Sequence, residues 1–283
     1  MTPEEILAHP ARVLTQAQRE QYFEQGYVGV ESLVPQDVLS EVQAVTQQFL
    51  EESRKETASG LVFDIGPGHS ADNPVLRRLK KPDDQHATYW KFARAIIADV
   101  AADLVGPNVV FHHSKLNFKW FDESDTVKWH QDIQFWPHTD FSPLTIGVYL
   151  DDVDSSMGPM GVFPGSHTGR LYDQYESSGN WAGSMRSGDV ATLDLDQVVW
   201  LTGCAGSATV HNCCMIHGSV PNDSKKPRPL LLQTYSRADS YPIANIGANG
   251  VTGVMSGTVV GGTSEQTVTI EGRHIVGAPD WSR

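Results

Sequence analysis

In Trp129-His130-Gln131-Asp132 an imidazole and a carboxylate stand two residues apart. In an extended segment such residues share a face, with Cα atoms about 6–7 Å apart, and can converge on one metal ion. The pair is weak by itself, because a second one, His138-Thr139-Asp140, follows closely. A third donor comes from His217 in Met215-Ile216-His217-Gly218-Ser219, where a strand-like run gives way to polar residues. Eleven residues later Arg228 opens the run Pro229-Leu230-Leu231-Leu232. If the two runs pair as a hairpin, Arg228 lies beside His217 at its open end. A guanidinium there would grip the far carboxylate of a small diacid whose other end chelates the metal. His211 competes with His217, but six residues of continuous strand span about 20 Å. Only one of them could then reach the ion, so His211 is expected to be a core or cleft histidine. Two imidazoles and one carboxylate, with three octahedral positions open, suit non-haem Fe(II) that activates O2. Zinc in a hydrolase accepts the same donors; the neighbouring Arg228 and Ser219 favour iron, since a hydrolytic water needs no diacid clamp.

These residues need a scaffold, and the chain reads as helices first and strands after. Thr15 and Gln18 fit a capping box ahead of Gln21-Tyr22-Phe23, with a stop at Gly26. Beyond Pro35, Val38, Leu39, Val42, Val45, Phe49 and Leu50 recur at helical spacing. One more helix is expected through Trp90, Ala93, Ile97, Val100 and Leu104, closed by Gly106-Pro107. Ser59 to Asp84 shows no periodicity and is expected to be a long loop, a lid over a cleft, carrying Arg77, Arg78, Lys80 and Lys81. From Val109 the texture changes to short β-branched and aromatic runs. These are Val109 to Phe111, Leu144 to Leu150, Ala208 to Ile216, Pro229 to Tyr235, Gly253 to Val260 and Thr267 to Ile270. Gly, Pro, Asp and Ser clusters separate them, which predicts a β-sandwich or barrel. With no repeat and no linker, residues 1–283 are expected to form one domain, with 1–107 a mostly helical support and 108–283 the β core.

Composition narrows the function. Against 21 Lys and Arg stand 34 Asp and Glu, a formal charge of −13, which phosphate backbones and anionic lipid would repel. Nucleic acid and membrane surfaces are therefore poor partners, and no apolar run is long enough for a membrane span. Three cysteines, two of them the adjacent Cys213 and Cys214, argue for reduced thiols rather than a disulfide framework. The acidic N-terminus lacks the order of a signal peptide, and Asp280-Trp281-Ser282-Arg283 carries no retention tail. The expectation is a cytoplasmic enzyme; whether it is a monomer or a homodimer stays open.

The chain resembles the phytanoyl-CoA dioxygenase family of Fe(II)/2-oxoglutarate oxygenases in four segments, in order. Leu14-Thr15 with Phe23-Glu24-Gln25-Gly26-Tyr27-Val28 is similar to the family's opening helix and strand. Trp129 to Asp132 matches its metal motif, and Gly161-Val162-Phe163-Pro164-Gly165-Ser166-His167 its proline-glycine loop. His217-Gly218-Ser219, Asn222-Asp223-Ser224 and Arg228 match its distal segment. The resemblance implies a mainly β fold with N-terminal helices, a double-stranded β-helix of the jelly-roll or cupin kind. It implies that His130, Asp132 and His217 ligate iron, that Arg228 helped by Ser219 holds the C5 carboxylate of 2-oxoglutarate, and that Lys119 reaches cosubstrate or substrate. His167 is expected to be structural. Asp132 implies hydroxylation or a related oxidation, because halogenating relatives carry a small residue there. The implied reaction consumes 2-oxoglutarate and O2 and releases succinate and CO2 as a C–H bond is hydroxylated. A jelly-roll binding protein or cupin-type isomerase is the alternative from another class, alongside the zinc hydrolase.

For the substrate, a small or medium metabolite is expected. Gln131, Gln134 and His138 are candidate polar contacts. Phe118, Trp120, Phe135 and Trp136 are candidate apolar walls, and Arg237 is a candidate partner for an anion, unless it pairs with Asp239.

Overall fold

The structure is a computed structural model that describes residues 1–120, 126–243, 252–264, 267–270 and 273–276. The N-terminal third contains α1 (Pro3–Ala8), α2 (Gln16–Gln25), β1 (Tyr27–Val30), α3 (Gln36–Ser53), β2 (Phe63–Ile65), β3 (Leu76–Lys80), α4 (Pro82–Gln85), α5 (Ala87–Ala93) and α6 (Ile96–Val105). The remainder carries β4 (Val109–Lys119), β5 (Val127–His130), β6 (Leu144–Tyr149), β7 (Met160–Val162), α7 (Ser187–Val190), β8 (Val199–Leu201), β9 (Ala208–Asn212), β10 (His217–Ser219), β11 (Arg228–Arg237), β12 (Val259–Gly261), β13 (Thr267–Ile270) and β14 (Arg273–Val276). The last two form a separate hairpin. The tail Asp280–Arg283 lies outside the described residues.

Strands β1-β9-β6-β11-β4-β3-β2 make one antiparallel sheet, with β12 also paired to β4; β5-β10-β7-β8 make a second. Both sheets line one cavity, the arrangement expected of a double-stranded β-helix. Alternation sorts the large sheet's side chains between two faces. Leu116, Phe118, Leu144, Ile146, Val148, Val210, Leu231 and Tyr235 join the core cluster that includes Leu39, Val42, Tyr89, Ile97, Val100 and Leu104 of the helices. Lys115, Asn117, Thr145, His211, Arg228, Leu230 and Leu232 point the other way, into the cavity. The helices thus bury one face of the large sheet and leave the other for chemistry. Phe118 belongs to the helix-side core, and the indole of Trp120 donates to the Leu76 carbonyl at 2.6 Å, so neither walls a substrate pocket.

The N-terminal caps follow the sequence. Thr15 and Gln18 form the capping box of α2, and Gly26 closes it with φ +79°. Four expectations are corrected. The helix through Trp90 and Leu104 is two helices, because the Tyr235 hydroxyl donates to the Ala93 carbonyl at 2.6 Å and takes over the last turn of α5. The segment Ser59–Asp84 is no lid: β2 and β3 form a hairpin that extends the large sheet, and Arg78 Nε donates to Asn117 Oδ1 at 2.9 Å. The run from Ala208 to Ile216 is interrupted. Asn212 Oδ1 accepts the Cys214 N–H at 2.9 Å and the Asn212 carbonyl accepts the Met215 N–H at 3.0 Å, a turn that carries the chain from one sheet to the other. Gly253–Ser256 is turn rather than strand, and β12 begins only at Val259.

Behind the large sheet, Asp83 is 3% exposed, accepts a short hydrogen bond from the Ser114 hydroxyl, and has no partner for Oδ2. Burial pushes its carboxyl up to about 6, against the pull of Ser114. The folded value exceeds the unfolded one, roughly 3.9. The stability from the neutral acid is therefore complete below about pH 4 and is lost as pH rises through 6. Asp83→Asn, neutral at every pH, is expected to be more stable than the parent at pH 7.5 by up to roughly 3 kcal/mol and nearly equal to it at pH 4.5. Urea titrations at the two pH values check this; an equal difference at both would refute the burial argument.

Candidate metal and cosubstrate site

Strands β5 and β10 pair with His130 opposite His217, and the two rings lie 4.1 Å apart between centroids. Gly218 permits this approach, since a Cβ there would stand 2.8 Å from the Val127 carbonyl oxygen. After β5 a single 3-10 turn, Asp132–Gln134, brings the carboxylate back toward the rings. Asp132 Oδ1 lies 3.6 Å from His130 Nε2 and 3.9 Å from His217 Nε2. One ligand atom from each residue falls within 4.8 Å of the others, and all three residues are buried. His130 Nδ1 donates to the Lys128 carbonyl at 2.8 Å and His217 Nδ1 to the Met215 carbonyl at 3.0 Å. A carbonyl only accepts, so each Nε2 is left with its lone pair aimed at the common point. Burial, with His130 and His211 nearby, keeps the His217 imidazole well below its ordinary value. Burial would raise the Asp132 carboxyl; contacts from His217, His130, His211 and Lys115 outweigh it and hold the group ionised. Two neutral nitrogens and one carboxylate oxygen on one side are a donor set that fits Fe(II).

The same cavity has basic residues in its lining. Arg228, 5% exposed, begins β11 opposite Lys119, which ends β4. Lys119 Nζ donates to Ser219 Oγ at 2.6 Å and to the Val220 carbonyl. Asn222 Nδ2 donates to the carbonyls of Lys119 and Lys226 at 2.9 and 2.7 Å, so the loop between β10 and β11 is tied down just before Arg228. Gly158, at φ +62°, lets the preceding turn press on this loop; a Cβ there would meet the Val220 carbonyl oxygen at 2.5 Å. Val127, Met160, Leu230 and Leu232 complete a cavity of about 90 Å³.

Two lining residues were not among the expected site residues. The turn at Asn212 folds His211 back, so its ring lies 4.4 Å from that of His217 rather than a strand's length away. The continuous-strand premise fails, and His211 is a cavity histidine beside the His130, Asp132 and His217 cluster. Lys115 also faces the cavity, and no described residue gives its ammonium an ion pair or hydrogen bond. Burial lowers its pKa while Asp132 raises it.

The expected substrate contacts divide. The Gln131 amide donates to the Cys214 and Arg170 carbonyls at 2.7 and 3.2 Å, and its Oε1 accepts the Tyr172 N–H at 2.9 Å. Gln134 donates to the Tyr172 carbonyl. Both glutamines are struts between loops, and neither lines the cavity. Arg237 is taken by Asp140, at 2.6 Å, and by Asp239. Asp140 is thereby committed, and among the described residues the second His-x-Asp gathers no third metal donor. Trp136 and His138 do belong to a polar cluster. Buried His112, His113 and His138 surround Trp136, with ring centroids 5.7, 5.9 and 5.9 Å from it. His112 and His113 share a 2.7 Å Nδ1–Nδ1 hydrogen bond. The Nε2 atoms of His112 and His138 have no partner, and both residues line a second cavity of about 180 Å³. Phe135 stacks edge-on against His130, with centroids 5.7 Å apart. In the proline-glycine loop, Ser166 Oγ accepts the Ile216 N–H at 2.9 Å and His167 Nε2 meets the Phe23 carbonyl at 3.1 Å. The loop buttresses the strand of His217 from α2, a structural use.

Sequence comparison agrees with this geometry. Residues 22–230 match the family model described as phytanoyl-CoA dioxygenase. The chain is 30% identical over 236 residues, 82% of each chain, to a protein of Stutzerimonas stutzeri described as a probable alpha-ketoglutarate-dependent hypophosphite dioxygenase. It is 32% identical over 220 residues to the L-proline trans-4-hydroxylase of Streptomyces griseoviridis, covering 71% of this chain and 77% of that one. In fold it is similar to the crystal structure of EctD from S. alaskensis with bound Fe, at TM-score 0.67 and 22% identity over 82% of this chain and 79% of that one. Among the described residues no helix is long and apolar enough to cross a membrane. The chain belongs to the phytanoyl-CoA dioxygenase family and is an Fe(II)- and 2-oxoglutarate-dependent dioxygenase.

Proposed function

We propose that His130 Nε2, Asp132 Oδ1 and His217 Nε2 hold the iron, and that Arg228, with Ser219 and Lys119, holds the C5 carboxylate of 2-oxoglutarate. The convergence of three buried donors and Arg228 on one cavity carries this reading. Iron held there would activate O2, the oxidant, which takes two electrons from 2-oxoglutarate to give succinate and CO2 and two from the substrate C–H bond to give the alcohol. The protein's own work is orientation and exclusion of water. The Lys128 and Met215 carbonyls fix both imidazoles as lone-pair donors. Arg228 gives the cosubstrate its direction through paired N–H groups. Lys115 supplies positive charge where anionic oxygens collect near Asp132. Leu230, Leu232 and Met160 keep the cavity poor in water.

The substrate, on this reading, is a small polar metabolite lying toward His113 and Trp136. Support comes from the unpartnered imidazole nitrogens of His112 and His138 and from relatives named for hypophosphite, L-proline and ectoine. The whole chain would act as one catalytic unit in the cytoplasm.

Anaerobic titration with Fe(II) and 2-oxoglutarate tests the class directly. A visible charge-transfer band is expected in the wild type. Succinate release across a panel of amino acids, cyclic compatible solutes and phosphorus oxyanions then reads the substrate, with no turnover when O2 is withheld. A protein that binds iron and 2-oxoglutarate yet shows no band would overturn the site assignment.

A further inference from the structure

Asp132 has two oxygens with different surroundings. Oδ1 faces His130 and His217, whereas Oδ2 lies 3.5 Å from Nε2 of His211. His211 is 1% exposed, and neither of its ring nitrogens has a formed hydrogen bond among the described residues, the 3.5 Å approach to Asp132 being a charge contact. Its backbone is fixed on both sides, opposite Tyr27 of β1 and Thr145 of β6, and the Asn212 turn follows at once. Its nitrogens fall outside the set of donors that lie within 4.8 Å of one another. His211 is therefore near the carboxylate without being placed as a fourth ligand.

A carboxylate with both oxygens free can bind a metal through both and occupy two positions. From this geometry we infer that His211 is a positioning residue: its Nε2–H holds Oδ2 of Asp132, so that the carboxylate offers the metal Oδ1 alone. The inference rests on the reading of His130, Asp132 and His217 as the ligands. It gives His211 a use that neither packing nor the ligand set requires. It also explains why a buried imidazole with no formed hydrogen bond among the described residues is tolerated beside a charged group. A monodentate Asp132 leaves three positions on the metal, the number that a chelating keto acid and one further small molecule need.

The test uses Co(II) in the full-length protein under anaerobic conditions, read by its d–d absorption spectrum and by its dissociation constant, with no turnover involved. His211→Leu removes both nitrogens; His211→Gln restores an N–H donor on a side chain of similar reach. The expected result is a roughly 10- to 100-fold weaker Co(II) affinity in the leucine variant, with a changed d–d spectrum. The glutamine variant should return most of the affinity and the wild-type spectrum. Metal-free thermal unfolding is measured alongside, and loss of affinity without loss of melting temperature separates positioning from packing. A leucine variant that binds Co(II) like the wild type with the same spectrum would overturn the inference. So would a glutamine variant as impaired as leucine. Asp132→Ala binding Co(II) like the wild type would instead overturn the ligand assignment itself, and the two failures are thereby told apart.

Discussion

Asp132→Ala is expected to lose ferrous-iron binding by about a thousandfold, close to 4 kcal/mol, and to lose turnover with it. The carboxylate is the sole anionic donor in the cluster, and it is held ionised in a buried position. Without it two neutral imidazoles remain, which cannot offset the charge of a divalent ion in a cavity already lined by Lys115 and Arg228. Asp132→Asn should fare little better, since it keeps the shape and removes the charge. Equilibrium dialysis of iron, with unfolding monitored in parallel, distinguishes this outcome from a folding defect. Retention of wild-type iron affinity in both variants would remove Asp132 from the site.

The second large effect is expected at Arg228. Arg228→Leu should weaken 2-oxoglutarate by at least a hundredfold, because truncating a buried, hydrogen-bonded charge partner typically costs about 2–5 kcal/mol. Iron affinity should stay within about threefold of wild type, since the guanidinium is not one of the clustered donors. Arg228→Lys should recover only part of the loss: an ammonium cannot make the paired N–H contacts of a guanidinium. Anaerobic titration of the charge-transfer band at saturating iron reads the cosubstrate constant, and iron dialysis reads the metal. Equal loss of both would show that Arg228 holds the fold rather than the cosubstrate.

How much of this was legible in the sequence differs from residue to residue. Strand spacing puts His130 and Asp132 on one face but does the same for His138 and Asp140; it is the family resemblance that singles out His130 and Asp132 with His217. The caps of α2 were equally plain, being set by contacts three residues apart. His211 is the cleft histidine the sequence suggests, but the continuous-strand premise puts it a strand's length from His217 when it lies beside it. The signal against that was present: Asn212 is a turn former, and it directly precedes the cysteine pair. Lys115 was overlooked although His113, Lys115, Asn117 and Lys119 alternate with Leu116 and Phe118, the pattern of a strand with one polar face. Gln131 and Gln134 are expected as contacts because they lie in or beside the motif, and Arg237 because a guanidinium suits an anion. Which way such side chains turn depends on loops brought in from residues 170–174, 214 and 239–240, and no local rule supplies that. The β2–β3 hairpin was hidden for a similar reason: its stability comes from pairing with β4 and not from its own pattern.

The three donors lie on or just past β5 and β10, a four-residue edge strand and a three-residue neighbour. Arg228, Lys115 and His211 belong instead to the broad sheet backed by helices. One half of the proposed centre thus lies on the helix-backed sheet and the other on short strands of the smaller one, and on that reading an ion held by residues 130 and 217 would fasten this flap-like half. Amide protons of β5 and β10 should then exchange with deuterium much sooner than those of β6 and β11 in metal-free protein, and slow markedly once iron is supplied. Iron scarcity would in that way expose the flap to proteases first, linking the enzyme's lifetime to the availability of its metal.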